Sequence, residues 1–348
     1  MNKKFWLFVF GTFFSVQVNA VNIGQVVAKV ETPPSPTKRD VLDNPIVYVD
    51  QKNPSASFVL CTNKDRANGG IHVYDLKGRE IRFMNEGRTN SIDIRYNIPF
   101  GGGKISLVAA THRGRNSITV YAVDPTEKSL VSIGEISLNI APYGGCLYHS
   151  ASSQKLYFFV TSKVGDLQQW ELSEGPDGRV GGQLVRTLNI GSKSEGCVVN
   201  DQTGDLFVAE EAVGIWKYNG EPTSKSARTQ VARVGTKLHA DVEALALYQG
   251  AKGQKYLIAS SQGNNSYCIY SGQSPYPYIG SFKIVDTDDR EGTEKTDGIT
   301  VVSAPLEMFP NGVFIAHDNR TRKGGGSNFK FVDWRDIQSS LRLKVAMR

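Results

Sequence analysis

An all-β fold, a six-bladed β-propeller of four-stranded antiparallel blades, is predicted by three observations. Short apolar runs recur with a period of ~50 residues. The first run of each repeat opens on polar or acidic residues, and the third ends on an aromatic in most repeats. Gly and Asn clusters such as Asn68-Gly69-Gly70, Gly101-Gly102-Gly103 and Asn264-Asn265 sit between the runs as turns. Radial repetition of small sheets around a channel is the arrangement that such a pattern builds.

The elements follow in order. First strands open at Asp43-Asn44-Pro45-Ile46, Asn90-Ser91-Ile92-Asp93, Gly144-Gly145-Cys146-Leu147, Glu195-Gly196-Cys197-Val198, Asp241-Val242-Glu243-Ala244 and Asp297-Gly298-Ile299-Thr300. Second strands follow at 58–61, 105–110, 156–160, 206–209, 256–259 and 313–316. Third strands end at Tyr74, Tyr121, Trp170, Tyr218, Tyr270 and Trp334. Outer strands are expected at 80–84, 130–138, 183–190, 229–234 and 278–284. No outer strand is evident after Trp334, so the segment around Val26 to Val30 is expected to pair there and close the ring.

Residues 1–20 read as a secretory signal peptide: Lys3 and Lys4, an apolar core from Phe5 to Phe14, then Val18-Asn19-Ala20 as the cleavage site. Residues 21–42 form an extended lead-in containing Pro33, Pro34 and Pro36, residues 43–338 the propeller, and residues 339–348 a tail with some helical character. The expectation is an exported protein, periplasmic or extracellular, monomeric and without membrane or nucleic-acid partners. Formal net charge is +6, two units of it from Lys3 and Lys4; there is no dense basic tract of the kind that tracks a phosphodiester backbone. Of the four cysteines, Cys146 and Cys197 occupy equivalent places in consecutive first strands. They are either a disulfide, as an oxidising compartment permits, or small buried hydrophobes.

Polar residues at one end of every first strand meet at one mouth of the channel. Asp43, Glu195, Asp241, Glu243 and Asp297 fall there, and Glu210 and Glu211 end a second strand. Each acid alone reads as a turn cap or a partner for a lysine; the repeated set favours a cation. Oxygen ligands without His or Cys spacing suit Ca²⁺ rather than zinc. Lys64, His112, Arg113 and Lys163 lie at equivalent ends of other second strands, and Tyr148 and His149 extend the third repeat's first strand. Cations beside a metal cluster are what a phosphate ester needs. No G-x-S-x-G, Walker or H-E-x-x-H pattern supports a serine hydrolase, nucleotide loop or zincin.

At these residues the chain resembles the β-propeller phytases. The resemblance rests on Gly144-Gly145-Cys146-Leu147-Tyr148-His149-Ser150, Ser194-Glu195-Gly196-Cys197-Val198, and the run from Ala209 to Tyr218. It continues in Ala240-Asp241-Val242-Glu243, the run from Ala259 to Tyr267, and Thr296-Asp297-Gly298-Ile299. It implies a phosphomonoester hydrolase acting on calcium-complexed myo-inositol hexakisphosphate, with several Ca²⁺ ions activating a water for in-line attack. Carried over, Asp43, Glu195, Glu211, Asp241 and Glu243 match the catalytic calcium cluster. Asn44 and Glu210 lie beside it as metal candidates, and Asp297 and Asp318 match a further calcium site. Lys64, Arg113, Tyr148, His149 and Lys163 are the candidates for substrate. Departures from the family's pattern are Asn44 for an aspartate, Ala212 for an acid, His112 for Asn, His317 for Gln and Lys295 beside Asp297. Acidity is trimmed around at least two metal positions, so the expectation there is either weaker calcium binding or a drift towards another phosphate ester or loss of catalysis. Two other readings remain: a non-catalytic propeller that binds a polyanion or a protein partner, and a calcium-dependent propeller lactonase or phosphotriesterase.

Overall fold

A computed structural model describes residues 23–321 and 325–343. The expected leader, residues 1–20, lies outside the described residues. Six sheets follow one another along the chain, four of them built wholly from consecutive antiparallel strands. Their inner strands are Leu42–Tyr48, Thr89–Phe100, Gly145–His149, Ser194–Asn200, Val242–Gln249 and Ile299–Val302, which define blades 1 to 6. The sixth blade takes its outer strand from the beginning of the described chain: Val30–Glu31 pairs antiparallel with Asn328–Asp333. Just before it, Ile23–Val26 adds in parallel to the outside of blade 5. The lead-in thus joins the last two blades and covers two sheet edges that would otherwise expose unpaired backbone groups.

Alternation of the strand side chains sends apolar residues to both faces of each blade, and they meet those of the neighbouring blade. Six apolar clusters result, one in every inter-blade space. Most of the third-strand aromatics serve this purpose: Tyr74, Tyr121, Tyr218 and Tyr270 are buried, each worth about 1.5–3 kcal/mol of burial. Trp334 departs from the pattern. It begins a helix, Trp334–Ser340, whose first turn is capped by the Asp333 carboxylate accepting from the Arg335 N–H. The helical character expected only from residue 339 therefore starts earlier, and Trp334 stacks on Tyr248 with ring centroids 4.0 Å apart. Cys146 and Cys197 form a disulfide that ties the inner strands of blades 3 and 4.

The inner strands of blades 1, 2, 4 and 5 share an irregularity at their first residues. The pairing register shifts between Leu42 and Pro45, Thr89 and Ile92, Ser194 and Cys197, and Val242 and Leu245. Such bulges turn side chains out of the sheet alternation. The residues they re-aim are Asp43 and Asn44, Asn90, Glu195, and Glu243. Glycines bring the bulged segments together: a Cβ on Gly196 would lie 2.2 Å from the Glu243 carbonyl oxygen, and one on Gly298 2.1 Å from that of Asp43. A hydroxyl at the end of the second strand pins the segments. Thr161 accepts from the Gly144 N–H and donates to the Glu195 carbonyl, and Ser260 donates to the carbonyl of Thr296.

Candidate active site

Three carboxylates form the centre of the mouth. One oxygen from each of Glu195, Glu211 and Glu243 lies within 4.8 Å of the other two, and all three side chains are buried. Glu195 Oε1 accepts from Asn90 Nδ2 at 2.5 Å, and Asn90 Oδ1 accepts in turn from Arg113 Nη1 at 2.9 Å. Glu211 pairs with Lys193. Glu211 Oε1 and Glu243 Oε2, both buried, have no hydrogen-bond partner among the described residues. Burial, followed by repulsion from its neighbours, holds Glu243 well above the usual carboxylate range. Burial, opposed by Lys193 and reinforced by Glu195 and Asp241, pushes Glu211 up to about 7. Orphaned, mutually repelling oxygens of this kind fit a hard divalent cation, which would neutralise them and take up the unused lone pairs. Asp241, half-buried just before the blade 5 inner strand, adds its charge to Glu211 and Lys193.

A second acidic group lies across the mouth. Asp43, Asp297 and Asp40 surround the Lys64 ammonium at 3.0, 2.5 and 3.1 Å. Asn44 is turned onto Asp43, its Nδ2 donating to Asp43 Oδ1 at 2.6 Å. In this state Lys64 neutralises carboxylates rather than facing outward.

Cations line the opposite wall. Arg113, Lys163 and Lys193 gather around the ring of Tyr143, at 5.2, 4.5 and 5.5 Å from its centroid. Burial lowers the Lys163 ammonium, and the charges of Arg113 and Lys193 lower it further. The Tyr143 phenol is held neutral by burial and by Glu195, Glu243 and Glu211. Arg88 borders the adjoining cleft together with Arg113 and Lys163. Below the acids, Arg95 crosses the channel, bonded to Asp201 at 2.6 Å, to Asp93 at 3.0 Å and to the Leu147 carbonyl at 2.6 Å.

The structure separates three expected residues, Tyr148, His149 and Glu210, from this centre, and parts Asp318 from Asp297. Tyr148 is buried between blades 3 and 4 and bonds Glu221, while His149 lines an apolar groove with Ile98 and Phe100. The reason is direction: inner strands start at the mouth and run away from it at about 3.3 Å per residue. Extending the strand carries those side chains to the far end, and Tyr143, upstream of the strand, stands where Tyr148 was expected. Glu210 points the other way from Glu211, with both oxygens occupied by Ser192 Oγ and Trp216 Nε1 at 2.7 Å each. Asp318 does not join Asp297. It accepts from the Glu294 N–H at 2.9 Å and lines a separate cavity with Asp286 and Glu291. His112 is also structural, bonding the Glu86 carbonyl and the Arg115 N–H. Tyr143, Lys193, Asn90 and Asp40 at the mouth, and Arg88 in the adjoining cleft, carried no assignment in the sequence.

The two aromatic positions make opposite forecasts. Tyr143→Phe should lower turnover about a hundredfold, the lower end of the scale for one lost polar group at a reacting centre. Tyr148→Phe should leave turnover unchanged and cost about 1 kcal/mol of stability. Initial rates and thermal midpoints of the two variants decide it; the reverse pattern would contradict the placement.

A propeller whose mouth sets buried carboxylates against a wall of cations defines a hydrolase of phosphate esters. The family model described as Phytase matches residues 7–347. A curated relative, the 3-phytase of Bacillus subtilis (strain 168), is 40% identical over 336 residues, covering 93% of this chain and 87% of the relative. The chain belongs to the phytase family and is a phytase, which sets aside the non-catalytic and lactonase readings.

Proposed function

We propose that the protein is an exported, calcium-dependent phytase that releases inorganic phosphate from myo-inositol hexakisphosphate at this mouth. The observation that carries the reading is the set of buried, partly orphaned Glu195, Glu211 and Glu243 oxygens facing the Tyr143 wall. Their all-oxygen chemistry favours a hard cation such as Ca²⁺. When bound, the metal would supply charge neutralisation at the phosphoryl group and a more acidic water. Glu195, Glu211 and Glu243, with Asp241 beside them, would hold it. Arg113, Lys163 and Lys193 bind the oxygens of the scissile phosphate, and Arg88 extends the same cationic surface along the adjoining cleft. Positioning of this kind contributes much of the rate in phosphoryl transfer. Lys64 serves as counter-charge for Asp43 and Asp297, and becomes available to a phosphate when a cation takes its place. The Cys146–Cys197 disulfide and the leader-like start support an oxidising, exported setting.

The test is the pH dependence of stabilisation by calcium. Glu211 has its folded pKa near 7, above its ordinary 4.5. The metal-free fold therefore favours the protonated carboxyl, and its stability falls as pH rises from 4.5 towards about 7. Calcium binds the ionised form, so the rise in thermal midpoint on adding it should be small near about pH 5 and large near about pH 8. An equal rise at both values would remove Glu211 from the metal site.

A further inference from the structure

We propose a second cation site of different chemistry, built by Asp40, Asp297 and His317, that takes a borderline divalent ion of the zinc or cobalt type. One donor atom of each residue lies within 4.8 Å of the other two. His317 belongs to the second strand of blade 6, Val313–Asp318, where residues alternate between faces: Asp318 turns to its separate cavity, and His317 turns to Asp297. The imidazole is completely buried, and its Nε2 has no hydrogen-bond partner among the described residues. That nitrogen lies 3.7 Å from Asp40 Oδ1, too far for a hydrogen bond and close enough for both atoms to reach one ion. A buried ring nitrogen without a partner costs stability, and a ligand is what would satisfy it.

A positive charge already occupies the place. The Lys64 ammonium is 2.5 Å from Asp297 Oδ2 and 3.1 Å from Asp40 Oδ2, a tethered monovalent cation that a divalent ion would displace towards the mouth. The donor set then decides the kind of ion. Glu195, Glu211 and Glu243 offer oxygen only, whereas this group adds an imidazole nitrogen, which shifts preference from Ca²⁺ to zinc-like ions. Binding through Nε2 places the ring proton on Nδ1 and gives up the Asp297 N–H contact there, which at 3.3 Å is long. Burial pushes the ring down to about 4, so it is a neutral ligand near neutrality. The site does not depend on the phytate reading, since its evidence and its test concern binding alone.

The experiment is a Co²⁺ titration of the untagged, calcium-saturated protein, followed by visible absorption and calorimetry. The expected result is one Co²⁺ bound in addition to calcium and displaced by Zn²⁺. His317→Gln and Asp40→Asn should each weaken it at least about tenfold, whereas Glu211→Gln should leave it intact. Asp40 is substantially exposed, so its variant reports on the site even where a change at buried His317 disturbs folding. Wild-type Co²⁺ affinity in the Asp40 variant, or no Co²⁺ uptake by the calcium-saturated wild type, would overturn the proposal.

Discussion

Glu211→Gln should lower phosphate release from phytate by about a thousandfold or more, the scale on which a metal's charge stabilisation and water activation contribute. The substitution keeps the shape of the side chain and removes its charge. It replaces an oxygen facing the cluster with an amide donor, and it leaves Lys193 without its ion-pair partner. Asp241→Asn should act in the same direction, because Asp241 contributes charge to Glu211 and Lys193 from the edge of the cluster. Both proteins should fold, since each exchange preserves volume and relieves like-charge crowding. Wild-type rates in both would remove the carboxylates from the chemistry; steady-state phosphate release with matched circular dichroism is the measurement.

Loss of the disulfide is the largest stability effect expected. Cys146 and Cys197 are 51 residues apart, and closing a loop of that length restricts the unfolded chain by about 4 kcal/mol in the chain-entropy account. The bridge also joins two inner strands at the channel, below the bulge that aims Glu195. The Cys146→Ser/Cys197→Ser double variant should therefore unfold about 6 °C lower. Its calcium-saturated activity at low temperature should change little, because neither cysteine touches the mouth centre. A thermal melt with and without reductant, on wild type and variant, checks this. An unaltered midpoint would mean that the inter-blade packing alone fixes blades 3 and 4.

Both predictions concern residues that are readable in the amino-acid sequence. Six repeats showed themselves because inner strands begin with the residues that meet at the mouth, while apolar runs of the second strands are constrained by burial on both faces. The outer strand at 80–84 and that at 278–284 agree with the sheets residue for residue. Glu195 and Glu243 could be found for the same reason, and Glu211 because it lies at the end of a second strand at the same mouth. Tyr143 could not be found by extending a strand, because it precedes one. Its signal was local: Pro142-Tyr143-Gly144-Gly145 is a rigid entry followed by glycines, and the first of these passes against Glu195, where a Cβ would lie 1.8 Å from its carbonyl oxygen. Lys193 and Asp40 also lie just upstream of inner strands, in loops whose course only the assembled ring determines. The pairing of Glu210 and Glu211 failed for a simpler reason, since adjacent residues near a strand end point to opposite sides. One belongs to Ser192 and Trp216, the other to the mouth.

Asn44, the most visible departure in the first repeat, has a physical account. Its amide donates to Asp43, so it moderates repulsion in a group that already contains Asp40, Asp297 and Lys64. The acidity trimmed on that side is partly replaced by Asp40 and by the nitrogen of His317. Glu195, Glu211 and Glu243, the oxygen-only group, remain intact beside the cationic wall.

Calcium-dependent catalysis at the mouth is tested by phosphate release from phytate by the purified protein near neutral pH, with added Ca²⁺ and with a chelator. Release should require calcium and return when calcium is restored after chelation. Release that continues undiminished in chelator would contradict this, as would no release at any calcium concentration from a demonstrably folded protein.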